Sequence, residues 1–103
     1  MEHIIKIPTK ITQIVNEKKL KPNERLIYRF IIETCQHSGR TPQQISYTKL
    51  MNIFKLSRQQ IYNIVRKLTE YGLIEKWTTF YYNKKGQLVK AVYIRLKIIY
   101  LNN

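Results

Sequence analysis

The chain of 103 residues carries 19 Lys and Arg against six acidic residues, a formal net charge of +13, with 44% apolar and 12% aromatic residues. That length suits a single domain over 1–103 with a modest core, and nothing in it approaches the roughly 18 unbroken apolar residues of a membrane-crossing helix. A domain this basic repels itself unless a polyanion is near, so nucleic acid is the first partner class to consider.

The excess of positive charge is uneven: residues 1–54 are net +5 and residues 55–103 net +8. An anionic membrane would call for a basic helix with a wide greasy face, and the pattern shows none. Met1-Glu2-His3 followed by a short apolar run is no secretory pattern. The single Cys35 has no partner for an internal disulfide. A cytoplasmic location is expected.

In chain order, residues 3–8 (HIIKIP) read as a short strand stopped by Pro8, and Thr9–Asn16 as a short helix carrying Ile11, Ile14 and Val15. Glu17–Lys21 reads as a polar connector. Pro22 suits the first turn of a helix, where its missing N–H costs nothing. The expected helix spans 22–37 with Leu26, Ile27, Phe30 and Ile31 inward and Arg25, Arg29 and Glu33 on the solvent side, and Gly39 is its expected stop. Arg40–Gln44, with Pro42, is a loop or very short strand.

Ser46 then caps a helix over 47–54 that buries Leu50, Met51 and Phe54. After the link Lys55-Leu56-Ser57, Ser57 and Gln60 form a capping box for a helix over 58–71. Ile61, Ile64, Val65 and Leu68 fall on one stripe of that helix, and Gln59, Asn63, Arg66 and Glu70 lie opposite, flanked by Tyr62 and Lys67. Gly72 ends it. A hairpin over 73–99 follows, with strand Leu73–Tyr82, the turn Asn83-Lys84-Lys85-Gly86, and strand Leu88–Tyr100. Leu88, Val92, Ile94, Leu96 and Ile98 share its inner face, while Lys90, of the same parity, lies towards the tip.

The run from Ser46 through Leu50-Met51 and Leu56-Ser57-Arg58-Gln59-Gln60-Ile61-Tyr62-Asn63-Ile64-Val65-Arg66-Lys67-Leu68 to Gly72-Leu73-Ile74 resembles winged helix-turn-helix DNA-binding domains. It departs from them at Lys55, where many members have Gly. The segments I-K-I-P-T-K-I and L-K-P-N-E-R-L-I-Y are similar to the N-terminal domain of phage and plasmid replisome organisers and replication initiators. The resemblance implies an α+β fold with a three-helix core, a β-hairpin wing and an extra short N-terminal strand and helix. It also implies a role in replication or maintenance of a mobile element. Such proteins usually continue into a second domain, so the chain is expected to work alone, with partners, or as a fragment.

Catalysis finds little support. All six acids are Glu and scattered, and Cys35 and His37, one residue apart, are poor zinc ligands without a second pair. Cys35 reads as a small core or boundary residue with no positioned base, and His3 and His37 as surface residues. The three glycines are isolated, so there is no phosphate-cradling loop. No enzyme activity, metal or cofactor is expected.

The expected DNA-binding residues fall in two groups. Arg58, Gln59, Tyr62, Asn63, Arg66 and Lys67 line the second helix of the pair, where Gln and Asn can read adenine and Arg can take guanine or phosphate. Lys76, Tyr81, Lys84, Lys85 and Lys90 belong to the hairpin, suited to salt-dependent phosphate contacts. Trp77, Phe80, Tyr81, Tyr82 and Tyr93 crowd the same hairpin and cannot all be buried by strand alternation. Rings beside lysines are what single-stranded DNA binding uses, but a small core around Trp77 or a dimer surface would also employ them. Three readings stay open: sequence-specific duplex binding, as in a repressor or origin binder; single-strand binding beside a helicase, primase or polymerase; and a protein-interaction module that forms a homodimer or docks on such an enzyme.

Overall fold

The computed structural model describes residues 16–38 and 41–97. The expected strand over 3–8, nearly all of the expected helix Thr9–Asn16, His3, Gly39, Arg40 and the end of the returning strand lie outside the described residues. After helical backbone at 16–18 come α1 (Pro22–Cys35), β1 (Gln43–Gln44), α2 (Tyr47–Phe54), α3 (Arg58–Glu70), β2 (Ile74–Tyr82) and β3 (Leu88–Leu96). The strands form one antiparallel sheet in the order β1-β3-β2, so the architecture is α+β.

Local chemistry sets the helix ends. Pro22 opens α1, and the Glu24 carboxylate accepts the Lys21 N–H at 3.0 Å, placing negative charge at the positive end of the helix. The Ser46 hydroxyl accepts the Lys49 N–H at 3.1 Å at the head of α2. For α3 both halves of the expected capping box form: Gln60 N–H to Ser57 Oγ at 3.1 Å, and Ser57 N–H to Gln60 Oε1 at 2.9 Å. Gly72 takes φ +77° just past α3, and the Gly72 and Leu73 N–H groups bond back to Thr69 and Leu68 carbonyls.

The core joins all the layers. Ile61, Ile64, Val65 and Leu68 of α3 are buried, together with Ile27 and Ile31 of α1, Leu50 of α2, Leu73, and Ile74, Val92, Ile94 and Leu96 of the hairpin. α1 packs on β3 and α3, α2 on α3, and α3 on β2. Phe30 of α1 meets Phe54 of α2 edge to face, with ring centroids 6.0 Å apart. Cys35 is buried, and its thiol donates to the Ile94 carbonyl at 3.5 Å. Burial pushes that thiol's pKa up, which keeps it protonated and unreactive.

Several expectations need correction. Helical backbone covers Glu17 and Lys18, which read as connector in the sequence. The Asn16 side-chain amide anchors it by donating to the Tyr71 carbonyl at 2.6 Å, and the buried Leu20 follows. α1 ends at Cys35 rather than 37, a shift within the usual ambiguity of helix ends. Its buried side is Glu24, Ile27, Tyr28, Ile31 and Cys35, while Leu26 is 51% exposed and Phe30 only partly covered. The helix is thus rotated by about a quarter turn from the face that its aliphatic residues alone suggest. In α2, Tyr47 joins Leu50 as buried, and Met51 and Phe54 are partly buried. α3 ends at Glu70 with Tyr71 as its cap, and the strands cover Ile74–Tyr82 and Leu88–Leu96. Leu88, assigned to the inner face, does lie on the helix side of the sheet but is 60% exposed, because the hairpin outruns the helices there. No core forms around Trp77, which is 41% exposed on the opposite face.

The link between α2 and α3 bends at Lys55, with φ 56° and ψ 45°. This left-handed backbone costs an L side chain about 1–2 kcal/mol and is one that glycine adopts without that cost. Lys55→Gly should raise unfolding stability by about 0.5 kcal/mol or more, since relief of the left-handed strain outweighs the entropy glycine adds to the unfolded chain. Lys55→Ala removes the same charge but keeps Cβ, and should not share the gain. Urea denaturation of both variants checks this, and an equal effect of the two would assign the change to charge rather than backbone.

Candidate nucleic-acid interface

The outward side of α3 follows from its buried stripe. With Ile61, Ile64, Val65 and Leu68 held in the core, Gln59, Asn63, Arg66 and Glu70 must point to solvent, and all four are exposed. Gln59 Nε2 donates to Asn63 Oδ1 at 3.0 Å, so the two amides are already aligned along the helix. Arg66 and Glu70 form a loose ion pair at 3.5 Å with both side chains about half exposed, a geometry worth only a few tenths of a kcal/mol. Asn63 also borders a groove of ≈ 380 Å³ between Gln60 and the start of α1 at Lys21–Glu24. Lys67, seven residues beyond Gln60, shares that flank and is exposed.

The other flank of α3 faces the hairpin. Arg58 opens the helix, and its guanidinium donates to Thr48 Oγ1 of α2 at 3.1 Å. Tyr62, one turn on and 42% exposed, has the Lys76 ammonium of β2 over its ring at 5.3 Å from the centroid. That cation–π contact joins helix and hairpin. Nearer the tip, Arg58, Tyr81 and Lys90 line one cleft of ≈ 210 Å³ with Tyr47 and Thr48. Lys84 and Lys85 sit on the turn, which Asn83 organises by accepting the Lys85 and Gln87 N–H groups at 2.9 Å each, with Gly86 at φ +79°. The structure thus brings Arg58, Tyr62, Lys76 and Lys90 together where helix meets hairpin, and Tyr81 lines the same cleft as Arg58 and Lys90 although its strand position is on the opposite face. Gln59, Asn63 and Arg66 lie on the adjoining outward face, Lys84 and Lys85 farther out, and Lys67 on the side nearer α1.

The hairpin's two faces differ. The register pairs Ile74 with Leu96, Lys76 with Ile94, Thr78 with Val92, Phe80 with Lys90 and Tyr82 with Leu88, and these share the helix side. The opposite face pairs Glu75 with Arg95, Trp77 with Tyr93, Thr79 with Ala91 and Tyr81 with Val89. There Arg95 Nε meets Glu75 Oε1 at 2.6 Å, and its guanidinium lies 5.1 Å from the Trp77 ring centroid.

Sequence reasoning missed Tyr47 and Thr48 as cleft residues. The pair was legible as the residues just after an N-cap, a place that also lies near the head of the next helix in a tight two-helix turn. Tyr47 is 7% exposed, and its pKa is pushed up to about 12 by burial and then by the neighbouring Tyr62. Its hydroxyl makes no hydrogen bond to another described residue.

Among the described residues, no group of three or more His, Cys, Asp or Glu could hold a metal ion, and no helix is long and apolar enough to cross a membrane. No family model matches the chain, and neither a curated protein nor a solved structure matches it.

A raised tyrosine pKa stabilises the folded state fully below the ordinary value of 10.0, and that contribution is lost as pH rises through about 12. Tyr47→Phe should therefore be no less stable than the parent at pH 7 and should lose less stability between pH 10 and 12. Chemical denaturation of both proteins across that range tests this, and parallel alkaline curves would contradict it.

Proposed function

We propose that the chain is a non-enzymatic DNA-binding protein of winged-helix architecture, in which α3 docks on duplex DNA and the β2–β3 hairpin serves as the wing that grips the backbone. The observation that carries this reading is the shared orientation of helix and hairpin cations: Lys76 lies over Tyr62, and Arg58 and Lys90 line one cleft. A polyanion lying along that side meets both elements at once. Gln59 and Asn63 supply the amides that match adenine, and Arg66 the guanidinium that matches guanine or phosphate. The lysines of the turn add affinity without sequence choice. A role in replication or maintenance of a phage, plasmid or other mobile element rests on the resemblance of the N-terminal segments alone, with a homodimer or a helicase, primase or polymerase as the further partners it suggests.

Titration of a labelled duplex by fluorescence anisotropy at several salt concentrations tests the reading. Binding should weaken steeply with salt. Lys84→Ala/Lys85→Ala should flatten the log–log slope by about 2, since each phosphate left without its lysine removes about 0.9. Absence of duplex binding at about 50 mM salt, where phosphate contacts are strong, would sink the proposal.

Glu70 is the lone acid of α3 and holds Arg66. Glu70→Gln should free that guanidinium and remove a repulsion towards phosphate, tightening duplex binding by about 2–5-fold, the scale of an exposed charge pair. Unchanged or weaker binding in the same titration would show that α3's outward face is not where the DNA lies.

A further inference from the structure

Three large side chains on the helix side of the hairpin lie past the end of the core. Phe80, Tyr82 and Leu88 are 62%, 72% and 60% exposed. The register sets Leu88 across from Tyr82 and Lys90 across from Phe80, so rings, aliphatic chain and ammonium share one patch. Lys84 and Lys85 follow on the turn, and residues 78–91 contain three lysines and no acid. The patch faces the same way as Lys76, which touches α3 at Tyr62.

We infer that this patch is a stacking platform for unpaired bases, so that the ligand fitting the chain best is a junction between duplex and single-stranded DNA. The inference deepens the winged-helix reading and rests on it, because it keeps α3 on the duplex arm. Base faces inside an intact duplex are already stacked, whereas unpaired bases offer free faces to aromatic rings, with cations beside them for the phosphates. Charge complementarity favours this occupant over a second copy of a chain whose net charge is +13. Size favours it too: three side chains fall far short of the roughly 800 Å² per partner of a stable protein interface. The Trp77 ring on the other face already carries the Arg95 guanidinium and is not equivalent.

The spacing fixes where the single strand begins. Phe80 and Tyr82 lie four and six residues beyond Lys76, or about 13–20 Å along the strand. That is about four to six base steps of 3.4 Å. Duplex held at α3 therefore gives way to unpaired bases roughly half a helical turn away.

The test uses the full chain and three labelled DNAs in anisotropy titrations at about 50 mM salt: a blunt duplex, the same duplex with an unpaired arm of about eight nucleotides, and that arm alone. The armed duplex should bind about tenfold tighter than the blunt one, the scale of one stacked base. Phe80→Ala/Tyr82→Ala should abolish this preference and leave blunt-duplex affinity unchanged, while Tyr82→Phe, which keeps the ring, should retain it. Both positions are exposed, and thermal melting by circular dichroism verifies that the variants fold. Equal binding of armed and blunt duplexes, or a double variant that keeps the preference, overturns the inference while duplex docking stands. An isolated arm that binds as tightly as the armed duplex overturns the junction, since duplex then adds nothing. Failure of both duplexes to bind overturns the docking reading itself.

Discussion

The rotation of α3 about its own axis is the constraint on which the rest depends. Ile61, Ile64, Val65 and Leu68 are each buried between α1, α2 and the sheet, and each stabilises the fold by about 1.5–3 kcal/mol as an upper estimate. Turning the helix to present another side would forfeit several of these at once. The capping box at Ser57–Gln60 and the left-handed Gly72 fix where the helix starts and stops. Between them these features leave no freedom in which side chains face water. The outward array of Gln59, Asn63 and Arg66 is a by-product of the core, not a separate achievement of the surface.

The hairpin adds the second constraint. A register slip of one residue would send every β2 side chain to the opposite face. Ile74, Val92, Ile94 and Leu96 tie the register to the core at the base, and the Asn83–Gln87 turn ties it at the tip. Lys76 thereby comes to rest against Tyr62, and Lys90 comes to share a cleft with Arg58. Cations far apart in the chain are thus aligned by the apolar packing beneath them. The opposite face is closed off by its own Glu75–Arg95–Trp77 chain of contacts, so the two sides of one ribbon have different chemical characters.

Much of this was legible in the residues because it was local. Capping pairs, the stripe of α3, the length of the α2–α3 link and the turn at Gly86 each depend on neighbours a few positions away. What was not legible depended on distant partners. The buried side of α1 was misjudged because Tyr28 and Glu24 count towards it only once β3 and α3 lie alongside, while Leu26 on the far side has the stronger apolar signature. Leu88 has the parity of a core residue, but parity says nothing about how far the helices extend beneath the strand. Tyr47 was left out of the buried set of α2 because its cover comes from elements distant in the chain. The pairing of Lys76 with Tyr62 likewise needs the crossing of two elements that sequence spacing does not encode.

The sheet order β1-β3-β2 leaves β2 at the border, and among the described residues nothing pairs with its outer backbone along nine residues. Such a border is a template for self-association into ribbons of many chains. Here the guard against it is colloidal rather than steric: copies that each carry a large surplus of like charge keep their distance in solution. That guard shortens to about 10 Å in 0.1 M salt, so the crowding this molecule tolerates is set by the ions around it as much as by its own packing.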